Sequence, residues 1–129
     1  MFLKHVALVC RSEKNSDTFY EQLLGLKKQD PKMLPDDLSK QIFNLDAEYP
    51  IINYIDDNSH FEIFIDDSLV PHQNEKKIEH VCIEIEDLEA FLEKCRALDV
   101  GIRQIPKGEK LLTFIRDFDG NLFEIKSKM

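Results

Sequence analysis

One offset of 75 positions relates the two halves of this sequence. His80 lies 75 positions after His5, and Asp87 lies 75 positions after Ser12. In each half the histidine belongs to a β-rich run, and the second residue precedes an amphipathic helical pattern. Self-similarity at a fixed offset is typical of a duplicated unit. The sequence therefore predicts two similar modules.

The first module is predicted as a strand, a helix and three strands. The helix begins after Ser12 and ends at Leu24, because Gly25 supplies a C-terminal stop. The turn signals are the two-proline loop Gln29–Asp37 and the polar run Asp56–Ser59. The predicted strands are His5–Cys10, Gln41–Asp46, Ile51–Ile55 and His60–Ile65.

The second module repeats this order. Asp87 caps its helix and Gly101 follows the helix end, while Asp119-Gly120 forms a tight hairpin turn. The predicted strands are Ile78–Glu86, Ile102–Ile105, Leu111–Arg116 and Asn121–Lys126. The expected fold is α+β, with two tandem βαβββ modules forming a cupped mixed sheet. We expect one domain over residues 1–129, made of a module at 1–66, a linker at 67–77 and a module at 78–129.

Composition excludes several classes of function. The net charge is −8 and the pI about 5.0, which disfavours binding to the phosphate backbone of nucleic acids. No apolar run approaches the roughly 20 residues that cross a bilayer, so no membrane partner is expected. Three cysteines without CxxC spacing, Cys10, Cys82 and Cys95, indicate buried thiols in a reducing compartment. The predicted location is the cytoplasm.

Each module also has a lone glutamate within an apolar strand. Phe61-Glu62-Ile63 is echoed by Phe123-Glu124-Ile125. If the modules form one cupped sheet, the two glutamates and the two histidines converge as four N/O donors. Such a set suits a divalent ion such as Ni, Co, Zn, Mn or Fe(II). The alternative is that each histidine is an ordinary strand residue and each glutamate simply faces water.

Several segments resemble the vicinal oxygen chelate (VOC) superfamily, of glyoxalase/bleomycin resistance/dioxygenase type. They are His5-Val6-Ala7, Phe19-Tyr20, Leu23–Leu26, His80-Val81 and Phe114–Glu124. The resemblance covers nearly the whole chain and is closest in ligand set to bacterial glyoxalase I. It implies a metal held by the first and last strands of each module, and thus by His5, Glu62, His80 and Glu124.

The resemblance further implies a metal-dependent lyase or isomerase. Such an enzyme moves a proton next to a metal-chelated carbonyl through an enediolate, with Glu124 or Glu62 as the base. Glutathione or another thiol would be the co-substrate, although Val9 stands where a glutathione-binding Arg is expected. One alternative is a methylmalonyl-CoA epimerase-like enzyme, although such enzymes tend to have Gln where this chain has Glu62. The other is a non-catalytic, resistance-type binding protein. A small-molecule substrate and a homodimer are expected, with sites within one chain or shared between two.

Strand alternation and the resemblance together predict the substrate pocket around the ligands. Its expected lining is His60, Phe64, Glu84, Leu112, Phe114 and Leu122. Three arginines, Arg11, Arg103 and Arg116, are open to two interpretations. They hold a substrate carboxylate or phosphate, or they are surface charges.

Overall fold

The computed structural model describes residues 1–70 and 78–128. The chain divides into two compact units, Met1–Val70 and Pro71–Met129. Each unit contains one mixed sheet and at least one helix, so the predicted α+β fold is confirmed. Within the predicted linker at 67–77, residues 71–77 lie outside the described part of the chain.

The first unit builds its sheet in the order β1-β5-β4-β2, with β3 pairing to β4. β1 and β5 run parallel, and the other pairs are antiparallel. Helix α1 continues directly into a π-helix. The elements are β1 (Val6–Cys10), α1 (Glu13–Ser16), the π-helix (Asp17–Leu23), β2 (Lys27–Lys28), β3 (Lys32–Leu34), α2 (Asp36–Phe43), β4 (Tyr49–Ile55) and β5 (His60–Ile65).

The second unit has the sheet order β6-β9-β8-β7. Here too the first and last strands of the unit are parallel neighbours, and the other pairs are antiparallel. The elements are β6 (Val81–Ile85), α3 (Leu88–Ala97), β7 (Ile102–Lys107), β8 (Lys110–Arg116) and β9 (Leu122–Ser127). This is the predicted order of strand, helix and three strands.

Alternate residues on the strands form the cores. In the first unit Tyr20 of the π-helix is fully buried, and its ring centroid lies 5.6 Å from that of Tyr54 and 5.5 Å from that of Phe61. In the second unit Phe123 and Ile125 of β9 are buried in the same alternating way. One face of each sheet is therefore closed by apolar packing, and the residues between these positions point to the opposite face.

The helix caps and the strand register confirm the repeat. Ser12 Oγ accepts a hydrogen bond from the Asn15 N–H, and Asp87 Oδ1 accepts one from the Ala90 N–H, both at 3.1 Å. In the sheets, Ala7 pairs with Glu62 and Cys82 pairs with Glu124. Cys82 stands 75 positions after Ala7, so the offset read from the sequence also describes the register of the parallel strands.

The predicted strand Gln41–Asp46 is wrong, because the first residues of this segment form the end of helix α2, Asp36–Phe43. Two aspartates stand in its first turn, where they interact favourably with the helix dipole, and Asn44 ends it in the left-handed conformation. The segment predicted as a loop, Gln29–Asp37, contains the short strand β3. α2 and β3 together explain why the first module is longer than the second between its helix and its last strand.

Two turns differ from the sequence prediction in detail. Helix α3 is terminated by Asp99, at φ 59°, and not by Gly101; the Val100 N–H then bonds back to the Cys95 carbonyl. In the last hairpin, Gly120 adopts φ 94°, but the turn spans Asp117–Gly120 because the Gly120 N–H bonds to the Asp117 carbonyl.

The cysteine prediction is correct for two of the three thiols. None of these three thiols is in a disulfide, and Cys10 and Cys95 are fully buried. Cys82 is exposed, which contradicts the prediction. The reason is strand parity, because Cys82 lies on the face of β6 opposite to its apolar neighbours Val81 and Ile83.

Candidate metal centre

The first unit brings His5 and Glu62 together. β1 and β5 run parallel with Val6 opposite Phe61, so His5, just before β1, lies beside the start of β5. His5 Nε2 is 3.8 Å from Glu62 Oε1. The side chains are 39% and 24% exposed, respectively. Both donors are thus accessible on the sheet face opposite the π-helix.

The second unit brings His80 and Glu124 together in the same way. His80 Nε2 is 3.7 Å from Glu124 Oε1, with exposures of 38% and 16%. His80 Nδ1 lies 2.8 Å from the backbone oxygen of Ile78. A carbonyl oxygen only accepts hydrogen bonds, so Nδ1 carries a proton, and in the neutral ring the free lone pair is on Nε2. That is the tautomer in which Nε2 binds a metal ion.

The donor chemistry of these pairs fits a divalent ion. Both His–Glu separations are longer than a hydrogen bond, so each nitrogen faces its carboxylate without being bonded to it. Imidazole nitrogens and carboxylate oxygens suit Zn, Mn, Co, Ni or Fe(II), and a set without thiolate is typical of sites with open positions. The role of His5, Glu62, His80 and Glu124 as ligands stays a prediction.

Two further side chains surround the pair in the first unit. His60 Nε2 lies 2.6 Å from Asn53 Oδ1, and the His60 ring centroid is 5.4 Å from that of His5. Burial lowers the pKa of His60, and the neighbouring His5 lowers it further. Asn53 was not predicted, although a polar residue at an alternating position of an apolar strand was a visible signal.

Phe64 also lies on the Glu62 face, and helix α2 provides a contact there. The rings of Phe43 and Phe64 are 5.6 Å apart at an angle of 82°. Phe43 was missed because its segment was read as a strand. Its amphipathic helical spacing with Leu38 and Ile42 was the signal that would have indicated the helix.

In the second unit one transverse row of the sheet contains Glu124. Cys82 pairs with Glu124, Glu124 with Phe114, and Phe114 with Arg103. Directly paired residues point to the same face of a sheet. Partial desolvation by its neighbours raises the pKa of the Cys82 thiol, although the residue is exposed, and the Glu124 carboxylate beside it adds to this.

The other predicted pocket residues of this unit occupy the adjacent rows. Leu122 pairs with Arg116, and Leu112 pairs with Ile105. Glu84 is exposed and pairs with Lys126. All three share the Glu124 face by strand parity. Their contribution to a substrate pocket stays a prediction.

A cavity of about 540 Å³ lies within the second unit. Arg103 and Arg116 both line it, together with the Phe114 and Leu122 side chains of the Glu124 face. The rest of the lining comes from the segment after α3 and from the start of the last hairpin turn. A cavity of this size suits a small ligand.

Comparison with known protein families decides the family. The family model of the Glyoxalase/Bleomycin resistance protein/Dioxygenase superfamily matches residues 2–125. The chain belongs to this superfamily. The predicted VOC resemblance is therefore confirmed over nearly the whole sequence. No curated protein sequence matches the chain.

Solved VOC structures share the fold at low sequence identity. The fosfomycin resistance protein FosX from Listeria monocytogenes superposes with a TM-score of 0.73 at 20% identity, covering 99% of this chain and 94% of FosX. A glyoxalase family protein from Bacillus cereus gives a TM-score of 0.73 at 18% identity, with 98% and 93% coverage. At these identities the likeness establishes the VOC fold.

A FosX variant from Listeria monocytogenes was crystallised with Mn(II) and 1S,2S-dihydroxypropylphosphonic acid. It superposes with a TM-score of 0.69 at 18% identity, covering 97% of this chain and 88% of the variant.

Within residues 1–70 and 78–128, no helix has the length and apolar character needed to cross a membrane.

Proposed function

We propose that this VOC protein is a metal-dependent enzyme that transfers a proton next to an oxygenated carbon of a small substrate. His5 and Glu62 from the first unit, and His80 and Glu124 from the second, would hold one divalent ion, within one chain or across a homodimer. The observation that carries the proposal is the repeated His–Glu pair, with facing atoms 3.8 and 3.7 Å apart. Equal strand registers in the two units support it.

The family gives the metal its expected chemistry. A bound divalent ion acts as a Lewis acid that polarises a substrate oxygen. The FosX variant crystallised with Mn(II) shows that a protein of this fold accepts such an ion. The Nδ1–H of His80 donates to the Ile78 carbonyl, so Nε2 is the nitrogen of the neutral ring that would bind the ion.

Glu62 and Glu124 are the residues that would move the proton. Each carboxylate is half-buried on the accessible face of its sheet, within reach of a substrate. Their neighbours differ, since Glu124 pairs with Phe114 on β8, whereas Glu62 pairs with Asn53 on β4. One glutamate takes the proton and the same or the other glutamate returns it to carbon.

The thiol co-substrate is the open part of a glyoxalase I-like reaction. Val9 lies on the His5 face of β1 and is 41% exposed. An apolar side chain there offers no cation to a glutathione carboxylate. We therefore propose a lyase or isomerase reaction that uses another thiol or none, in the cytoplasm. A methylmalonyl-CoA epimerase-like reaction is the related alternative.

Resistance-type binding of a small molecule is the second candidate. The structural neighbours named FosX are fosfomycin resistance proteins, and one was crystallised with a phosphonic acid, which favours a small-molecule ligand for this fold. The two functions are separated by turnover. The enzyme converts methylglyoxal–thiol hemithioacetals or a related hydroxycarbonyl substrate, whereas the binding protein retains its ligand unchanged.

Metal analysis tests the ligand set directly. After dialysis against Mn(II), Co(II), Ni(II), Zn(II) or Fe(II), elemental analysis should find one ion per proposed site in the wild type. His5→Ala and His80→Ala should each weaken metal binding by more than about 100-fold, since even the loss of a group that only hydrogen-bonds to a ligand costs about 10–100-fold. Metal content is also measured in Glu124→Gln. Its matched control is Glu86→Gln, which makes the same change at an exposed residue that pairs with Lys128. Full metal content in both histidine variants would refute the proposal.

Activity of glutamate variants then ranks the two bases. Glu62→Gln and Glu124→Gln proteins that retain metal should differ in kcat, and the true base should lose about 100-fold or more. Full activity in both variants would rule out either glutamate as the base.

A further inference from the structure

The cavity of the second unit carries two arginines in a protein whose net charge is −8. Arg103 and Arg116 are both exposed side chains that line this 540 Å³ space. Phe114 and Leu122 line it too, and they belong to the sheet face of Glu124. Two guanidinium groups therefore lie beside the proposed reaction site.

The sheet register fixes the distance between Arg103 and Glu124. Arg103 on β7 pairs with Phe114 on β8, which pairs with Glu124 on β9. Two strand spacings separate the backbones of Arg103 and Glu124, or about 10 Å. A small molecule can span this gap with one end at each residue.

The arginines have donors available for a ligand. Arg116 Nη1 donates a hydrogen bond to the Gly120 carbonyl at 2.8 Å, which orients the guanidinium and leaves its other N–H groups free for a ligand. For Arg103, the described residues 1–70 and 78–128 provide no side-chain hydrogen bond or ion pair. A guanidinium offers two parallel N–H groups that match a carboxylate or phosphate.

Two carboxylates also line the cavity and must be considered. Asp117 is buried and accepts bonds from the Asp119 and Asn121 N–H groups and from the Asn121 side chain, so it is engaged in the hairpin turn. Asp99 is exposed at the end of helix α3. Neither Arg103 nor Arg116 forms an ion pair with a residue in the ranges 1–70 and 78–128.

We infer that this cavity is an anion subsite. Arg103 and Arg116 bind a terminal carboxylate, phosphate or phosphonate of the substrate, Phe114 and Leu122 cover its short carbon chain, and the oxygenated carbon reaches Glu124. This inference rests on the proposed function for the role of Glu124. It narrows the substrate to a small organic anion.

The test measures anion binding to metal-free protein, which separates it from binding to a metal ion. Inorganic phosphate, methylphosphonate and acetate are titrated at low ionic strength and followed by calorimetry. Arg103→Gln and Arg116→Gln should each weaken binding of the preferred anion by about ten-fold or more, as expected for a lost charge-assisted hydrogen bond. Arg103→Lys keeps the charge but not the fork and should fall between Arg103→Gln and the wild type.

Arg96→Gln is the matched control, because Arg96 pairs with Glu93 on helix α3 and does not line the cavity. It should leave anion affinity unchanged. A wild type that binds none of the three anions would overturn the inference, and so would equal affinities in the Arg103→Gln, Arg116→Gln and Arg96→Gln proteins. Comparing phosphate and methylphosphonate with acetate identifies the anion class.

Metal content, measured in the same proteins, keeps the two proposals apart. Arginine variants with normal metal content and unchanged anion affinity would refute only the anion subsite. A wild type that binds no metal ion would refute the proposed function, while the arginine dependence of anion binding would still stand as a separate result.

Discussion

A partly buried hydrogen bond to a carboxylate supports the first unit. Tyr54 on β4 is fully buried, and its hydroxyl donates to Asp17 Oδ1 at 2.8 Å. Lys28 Nζ donates to Asp17 Oδ2 at 3.0 Å and also bonds to Glu13. The group joins the start of the π-helix to two strands. Tyr54→Phe removes one hydrogen bond from it and leaves the ring in place.

The expected cost of Tyr54→Phe follows from these partners. A hydrogen bond to a charged group contributes about 1.5–3 kcal/mol to stability. Asp17 keeps Lys28 as a partner, so the lower end, about 1.5 kcal/mol, is expected. In urea this lowers the unfolding midpoint by about 0.7 M if the m-value is about 2 kcal/mol/M. The unfolding curve, followed by circular dichroism, measures this shift.

A double-mutant cycle with Asp17→Ala, which removes the acceptor, isolates the pair. The coupling free energy should be about 1 kcal/mol, since directly bonded residues are not additive. Tyr49→Phe is the control, because Tyr49 begins the same strand and its hydroxyl has no hydrogen bond within the described residues. Its effect should stay within about 0.5 kcal/mol. Equal shifts for the two tyrosine variants, or a coupling near zero, would refute the reasoning.

Three further predictions concern pH, thiols and backbone. Burial, reinforced by the Asp17 carboxylate, raises the pKa of Tyr54. The stabilisation that the protonated hydroxyl contributes is therefore complete below about pH 10 and is lost as the pH rises further. In urea unfolding, the difference in stability between wild type and Tyr54→Phe should shrink at higher pH. Cys82 should be the only thiol that iodoacetamide alkylates in the native protein, since the other two are fully buried; peptide mass spectrometry that finds all three labelled equally would contradict this. Gly120→Ala should cost about 1–2 kcal/mol because of its φ of 94°, whereas Gly101→Ala, outside the positive-φ region and with open space at its Cβ position, should be nearly neutral in thermal unfolding.

The repeat made much of the fold predictable from the sequence. Its offset placed His5 and His80 at equivalent points, and the caps Ser12 and Asp87 were found where the sequence predicted them. Strand alternation also placed His60 beside Glu62, on the accessible face. These inferences succeeded because they depend on local periodicity and on hydrogen bonds within a few residues.

Other features depend on neighbours that are distant in sequence. Helix α2 replaced a predicted strand, since a short apolar run is compatible with either structure until packing decides. The contact of Phe43 with Phe64, the bond from His60 to Asn53 and the cavity near Arg103 all join separate segments.

The sequence by itself determined which residues have metal-binding chemistry and at which equivalent positions they lie. It also determined the α+β class, because hydrophobic periodicity and cap residues act locally. Only the tertiary structure decided that each histidine faces its own glutamate at under 4 Å, and that Ile78 fixes the tautomer of His80. The physical reason is that the paired residues of these parallel strands lie more than 40 positions apart in the sequence, so their register is set by packing of the whole sheet, which no local pattern encodes.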